Sequence, residues 1–379
     1  MKIQARRSIV LFVTLSISAS ISACAHKAGT KRTTGKTQAA DIRQLQLKHW
    51  QPRSQLKVKR TLVTKPAFPA VDVHNHLQSA KDVPALIKVL DQMGVRAVVN
   101  LDGYWGQRLE KNLARFDRKY PGRILTFAQI DFEGIDKPNW ARNAEKQLRQ
   151  SFQAGAKGLK LHKSLGLGIR YDGGRLMPID DAKLDPIWRL CAELKRPVVI
   201  HSADPAAFFT PLDAKNERWH ELNENPSWLF FGKDYPSHSE LLKQRNRVIA
   251  KHPQTTFIGA HMGNHPEDLA QVGKWLDAYP NFHVDIDARI NELGRQPYTA
   301  RRFFLKYQNR ILFGTDAFPR AQVYQLYYRF LETDDEYWDT APANGRQGFW
   351  AVYGLYLPKD VLEKLYFKNA ARILGLAPQ

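Results

Sequence analysis

The chain has 379 residues, 43% hydrophobic and 25% charged, which excludes a low-complexity or fibrous protein and leaves room for one large soluble domain or two ordinary ones. The formal charge is +20, yet residues 1–67 hold 14 Lys and Arg against one acidic residue, Asp41, so most of the excess lies near the start. The remainder, 43 basic against 36 acidic residues, is too evenly balanced for a nucleic-acid binder.

In chain order, Lys2, Arg6 and Arg7 precede an apolar, Ser-rich run from Ser8 to Ala23. Residues 1–23 therefore read as an export signal, with a core of about 16 residues that is short for a membrane span. The run ends Ile21-Ser22-Ala23-Cys24, which resembles the lipobox of bacterial lipoproteins, with Ile where Leu is commoner. That resemblance implies acylation of Cys24 and a lipid anchor in the bacterial envelope, at the outer membrane and facing the periplasm or the cell surface. An ordinary cleaved signal with an incidental cysteine accounts for the same residues. Residues 24–66 mix Lys, Arg, Thr and Gln with few apolar residues, the composition of a disordered basic tether. The other cysteine, Cys191, sits in the helical pattern "DPIWRLCAELKR", so no disulfide framework is expected.

From residue 67 to 379 apolar segments alternate with amphipathic ones. The strand-like segments are 70–77, 96–103, 123–131, 157–165, 197–204, 255–262, 281–288 and 310–316, with helical patterns such as "VPALIKVLDQMGV" and "HPEDLAQVGKWLDAY" between them. Strand–helix alternation implies right-handed βαβ units and a parallel sheet. Eight such units in about 310 residues predict an α/β fold, a (βα)8 TIM barrel, whose active site lies at the carboxyl ends of the strands.

Period-two phase then selects the residues that face the barrel axis. Taking Val71 and Val73 as outward puts Asp72, His74 and His76 inside; Leu159 and Leu161 outward put Lys160 and His162 inside. By the same rule His201, His261 (with Ile258 and Ala260 outward), His283, Asp285, Asp287, Arg289 and Asp316 face in. A lone strand histidine is more often a hydrogen-bonded core residue than a ligand, and an HxH pair proves little in a chain with 12 His. His74, His76, His201, His261 and Asp316 all at strand exits are harder to assign to chance. Imidazoles with a carboxylate suit Zn²⁺ and similar divalent ions.

The motifs "VDVHNH", "VVIHSAD", "IGAHMGN" and "LFGTDAFP", with a C-terminal "LYFKNAARILGL", resemble the amidohydrolase superfamily, in particular its amidohydrolase-related branch, which includes decarboxylases of the aminocarboxymuconate-semialdehyde type. The resemblance runs from about residue 68 to the end. It implies a metal held by His74, His76, His201 and Asp316, with His261 doing acid–base work or holding a second metal. Lys160 then has two readings. With one metal it binds a substrate carboxylate or pairs with an acidic neighbour; carboxylated, it bridges a second ion. His162 either assists Lys160 or fills space, and Arg289 is either an anion clamp or an ion-pair partner of Asp285 or Asp287.

Two aromatic-rich stretches, 204–238 and 317–357, are expected as long loops over the site. Their Trp219, Trp228, Phe230, Trp338 and Trp350 either wall a ligand pocket or form a minor core. Three functions fit: a metal-dependent hydrolase of a small-molecule amide, ester or lactone through a metal-activated water, with Asp316 and His261 catalytic; a metal-assisted decarboxylase of a small carboxylic acid; or a non-catalytic surface binding protein. Presence of every expected ligand position argues against the third.

Overall fold

Eight parallel strands and eight principal helices alternate along residues 70–332 of a computed structural model: β1 (Ala70–Asn75), α1 (Val83–Gln92), β2 (Val95–Asn100), α2 (Gly106–Arg115), β3 (Ile124–Thr126), α3 (Trp140–Ala154), β4 (Leu159–Leu161), α4 (Asp185–Glu193), β5 (Val198–Ile200), α5 (His238–Lys251), β6 (Phe257–Gly259), α6 (Leu269–Ala278), β7 (Phe282–Asp285), α7 (Pro297–Lys306), β8 (Ile311–Leu312) and α8 (Ala321–Glu332). The structure describes residues 42–50, 52–232, 234–341 and 345–377. The expected signal peptide, Cys24 and the first part of the tether lie outside the described residues. The chain divides after Arg53; ahead of that point the described residues hold two short 3-10 turns, and everything below concerns residues 54–379. Among the described residues no helix is long and apolar enough to cross a membrane.

The strands pair in order β1-β2-β3 and β4-β5-β6-β7-β8, every ladder parallel. Two short seams join the sheets into a closed ring. At one, Ala128 bridges Leu159. At the other, the Val73 N–H donates to the Phe313 carbonyl at 2.9 Å and the Asp316 N–H to the His74 carbonyl at 2.9 Å. Side chains fix where several helices begin: Asp82 caps α1 through the Ala85 N–H, Ser237 caps α5 through Glu240, and Asp268 caps α6 through Gln271.

The core has two parts. Alternate strand residues such as Val98, Ile124, Leu159, Val198, Ile200, Phe257, Val284 and Ile311 pack outward on the helices. The intervening residues, Val71, Val73, Ala97, Val99, Leu125, Val199, Ile258 and Leu312, form a separate cluster that ends on Phe367 and Ala370 of the C-terminal helical segment. That cluster is the apolar interior of the barrel, stoppered at one end by the last helix.

Two phase expectations are corrected by this packing. Val71 and Val73 face inward, whereas Asp72 turns out to α8 and bonds Tyr324. His74 still reaches the interior because the β1–β2 register shifts between Asp72 and Asn75. Ile258 and Ala260 also belong to the inner cluster, so His261 is directed by a turn and not by strand phase.

The expected loop 317–357 is in part a helix. In "AQVYQLYYRFLE" the residues Val323, Tyr324, Tyr327, Tyr328, Phe330 and Leu331 recur at helical spacing and are buried, forming α8. Trp338 then pairs with Val352 and is buried, joined to the main strand–helix core. The stretch after β5 carries three short helical turns, and there Trp228 is exposed and stacks on Phe208. The end of the segment assigned to the tether runs along this part of the fold: the Thr61 N–H and hydroxyl both donate to Asp335, and the Ala67 N–H to Glu332.

Candidate metal centre

His74, His261, Asp287 and Asp316 each offer a ligand atom, and these atoms all lie within 4.8 Å of one another at the strand exits. His76 and His201 flank this group. His76 Nε2 is 3.4 Å from Asp316 Oδ1, and His201 Nδ1 is 3.2 Å from His261 Nε2. The five residues singled out by phase therefore do converge. The tightest grouping contains His261 and Asp287 in place of His76 and His201.

His74 and His76 are held in the same way. His74 Nδ1 lies 3.0 Å from both Asp285 Oδ2 and Asp287 Oδ2, and its Nε2 is 3.8 Å from Asp316 Oδ1. His76 Nδ1 lies 2.7 Å from Asp102 Oδ1, which also accepts, through its other oxygen, the Gln78 N–H. In each ring a carboxylate accepts the Nδ1–H hydrogen bond and Nε2 is turned toward Asp316, the carboxylate–histidine arrangement that orients metal ligands. Burial holds the His74 and His201 imidazoles well below their ordinary pKa, so both are neutral and ligand-ready. Burial also opposes charge on His76, but the hydrogen bond it donates to Asp102 and the charge of Asp316 outweigh it and raise its pKa.

Asp285 and Asp287 are driven in opposite directions by their surroundings. Burial and the neighbouring Asp287 charge push Asp285 well above the usual carboxylate range. For Asp287, burial is outweighed by the facing His261 and His74, which hold it well below. Both carboxylates accept the His261 backbone N–H at 2.8 Å.

The backbone around His261 is unusual. His261, Met262, Gly263 and Asn264 follow one another at φ of 57°, 57°, 64° and 56°, a left-handed turn. Each non-glycine residue there costs about 1–2 kcal/mol. Three groups hold the turn. The Asn264 amide donates to the Ala203 carbonyl and accepts the Ser202 N–H at the β5 exit. The Arg245 guanidinium, buried against Trp275 and Phe282, donates to the Gly263 carbonyl. The third is the Asp285–Asp287 pair. Ala288 and Asp316 have φ of 51° and 53°, so β6, β7 and β8 all leave the barrel through strained positions, as functional sites often do.

Asp72 stands behind β1. Its Oδ2 accepts from Thr315 Oγ1 at 2.7 Å, Tyr324 Oη at 3.1 Å and Asn75 Nδ2 at 2.5 Å; its Oδ1 accepts the His74 and Thr315 N–H groups. Burial pushes its pKa to about 7 against those donors. The residue fastens the strand bearing His74 to the residue preceding Asp316.

The remaining candidates lie around the centre. Lys160 Nζ is 3.2 Å from His74 Nε2, and burial lowers its pKa. His162 Nε2 is 3.0 Å from Gln129 Nε2, its ring 5.9 Å from that of His76, and burial takes its pKa to about 3. Arg289 is buried, donates Nη1 to the Ala288 carbonyl, and its Nε has no hydrogen-bond partner. The sequence gives no metal-site role to Asp287, and none at all to Asp102 or Asp204. Asp204 accepts from His201 Nε2 at 3.3 Å and pairs with Lys163. All three were findable, since each sits at or just past a strand exit: "HVDID", "NLDG" and "HSAD".

The donor set fits a divalent ion of the zinc type: neutral imidazoles, carboxylates and orienting acids, with Asp316 a quarter exposed at the mouth. His74 and Asp316 belong to both the expected set and the closest grouping, with His76 and His201, or His261 and Asp287, completing it.

A protein-family model described as amidohydrolase matches residues 71–376. The chain belongs to the amidohydrolase family, whose members are metal-dependent enzymes. Among solved structures it is similar to an uncharacterized TIM-barrel protein from Bordetella bronchiseptica, at 16% identity and TM-score 0.53, covering 82% of this chain and 99% of that one. It is also similar to 2,6-dihydroxybenzoate decarboxylase from Rhizobium, at 19% identity and TM-score 0.51 with the same coverage. A structure of a 2,6-dihydroxybenzoate decarboxylase with 2,6-dihydroxybenzoate bound gives TM-score 0.52, also at 19% identity. At these identities the likeness is one of fold, the (βα)8 barrel. No curated protein matches the chain significantly.

Proposed function

We propose that the protein is a metal-dependent hydrolase of a small-molecule amide, ester or lactone. The observation that carries this reading is Asp316, a partly exposed carboxylate set between the Nε2 atoms of His76 and His74. The ion, when bound, supplies the Lewis acidity that lets water attack at neutral pH. Asp316 accepts a proton from the attacking water and delivers it to the leaving group. His261, fixed by its left-handed turn, stands beside it to polarise the substrate carbonyl or protonate the departing atom. Asp102, Asp285 and Asp287 hold the imidazoles in the tautomer this chemistry needs.

Decarboxylation is the second reading, favoured by the fold shared with the 2,6-dihydroxybenzoate decarboxylases. The same residues would hold a substrate carboxylate or hydroxyl beside the breaking C–C bond, with His261 or Asp316 supplying the proton. Product analysis separates the two: a panel of lactones, esters, amides and small carboxylic acids is incubated with Zn²⁺-loaded protein. A new acid, alcohol or amine supports hydrolysis; released CO₂ overturns it in favour of decarboxylation.

The site is also proposed to work outside the cytoplasm, on a chain exported by residues 1–23 and anchored through acylated Cys24. Residues 24–66 would then give the enzyme a reach of tens of ångströms from the lipid. Detergent phase partitioning of wild type against Cys24→Ser tests this; equal aqueous behaviour would refute it.

A further inference from the structure

Lys160 lies in a place that disfavours charge. It rises from β4 into the barrel and is 1% exposed, so its ammonium depends on partners inside. The partner within hydrogen-bond reach is His74, whose Nε2 lies 3.2 Å from Nζ. On the other side of that ring, Nδ1 faces Asp285 Oδ2 and Asp287 Oδ2, each at 3.0 Å. Asp287 is the member of that pair held ionised, and an ionised carboxylate only accepts, so Nδ1 carries the ring proton and Nε2 presents the lone pair.

A neutral imidazole has one such lone pair. An N–H donated by Lys160 and a coordinate bond to a cation both use it, so the two cannot coexist on His74. The geometry points to Lys160 as a resident counter-ion of the metal centre: it occupies His74 Nε2 until an ion binds, and must leave that atom for the ion to enter. This rests on the reading of the cluster as a metal site. In the metal-free protein the ammonium supplies a positive charge among the carboxylates of Asp287 and Asp316, which otherwise face imidazoles and, for Asp287, the His261 backbone N–H. In the loaded protein it stays close enough to oppose the ion. A like charge within about 4–6 Å shifts a proton's binding constant by about tenfold or more, and a divalent ion feels it at least as strongly.

The test is a Zn²⁺ titration of chelator-stripped protein against a chromophoric competitor, wild type beside Lys160→Met, with circular dichroism to verify the fold. Methionine keeps the stem and removes the charge. Binding about tenfold tighter in the variant, at unchanged stoichiometry, is expected. Equal affinity overturns the inference while leaving the metal site intact. Weaker binding with loss of a second ion also overturns it, and makes Lys160 a ligand through carboxylation. Absence of Zn²⁺ binding in both proteins overturns the site reading along with it. A second measurement needs no variant: wild-type crystal structures with and without Zn²⁺. Lys160 Nζ is expected within about 3.5 Å of His74 Nε2 in the stripped protein and beyond that in the loaded one. A bond to Nε2 that persists in the loaded protein contradicts the inference.

Discussion

The two ends of the barrel interior are built on opposite terms. At one end Val71, Val73, Ala97, Val99, Leu125, Val199, Ile258 and Leu312 close on Phe367 and Ala370, a largely apolar cluster set in regular parallel strands, with buried His283 beside Ile258. At the other, within a few residues along the same strands, the interior holds five histidines, a buried lysine and at least four carboxylates on a backbone forced through left-handed positions. The apolar end gains free energy from burial and needs no particular geometry beyond fit. The polar end spends some of it on strain, keeping donors where a cation can meet them. Damage to one end should therefore appear as lost stability, and damage to the other as lost chemistry.

The largest separation is expected at Asp316. Asp316→Asn should lower turnover by about 10⁴, with metal partly retained by the imidazoles; steady-state kinetics and elemental analysis on the same sample check both halves. His261→Asn should follow with a rate loss of about 10²–10⁴. If it strips the ion instead, His261 is a ligand, as its place beside Asp287 allows. If it changes neither rate nor metal, the assignment of His261 to the site fails.

At the apolar end, Phe367→Ala should cost about 3–5 kcal/mol in denaturant unfolding and leave metal stoichiometry unchanged. A loss of metal on that change would erase the contrast between the ends. Ala288→Gly probes the strain directly. Glycine tolerates φ of 51°, so stability should rise by about 1 kcal/mol, read as a higher melting temperature. The smallest effect is at the edge. Burial of Asp335 is outweighed by its bonds from Thr61 and Arg329, which lower its pKa. A carboxyl lowered on folding stabilises above its unfolded value of 3.8 and loses that contribution as pH falls below it. Proteolytic cleavage within residues 54–66 should therefore increase below about pH 4, and in Asp335→Asn should already be raised at neutral pH.

Much of this arrangement was legible in the sequence. All eight strand-like segments contain a strand, because alternating apolar residues bounded by helical patterns leave little else for them to form. His74, His201, His261 and Asp316 were placed at the mouth from position alone. What failed was phase on β1 and β6: a one-residue register shift after Asp72 and a left-handed turn at His261 each reverse the side-chain direction, and neither has a signature in period two. Asp287 points inward by phase but suggests only a partner for Arg289, since its place between His74 and His261 joins the exits of β1, β6 and β7. The stretch 317–357 reads as a long aromatic-rich loop after a strand exit, although the spacing of Val323, Tyr324, Tyr327, Tyr328, Phe330 and Leu331 within it fits a buried helical face.

The most direct test of a metal centre at the polar end is the metal content of the purified wild-type protein, measured beside His74→Ala. About one divalent ion per chain in the wild type, lost from the variant while its melting temperature shows a folded barrel, is the predicted result. A wild-type protein that contains no metal, takes up none, and turns over substrate at full rate in the presence of chelator would contradict it.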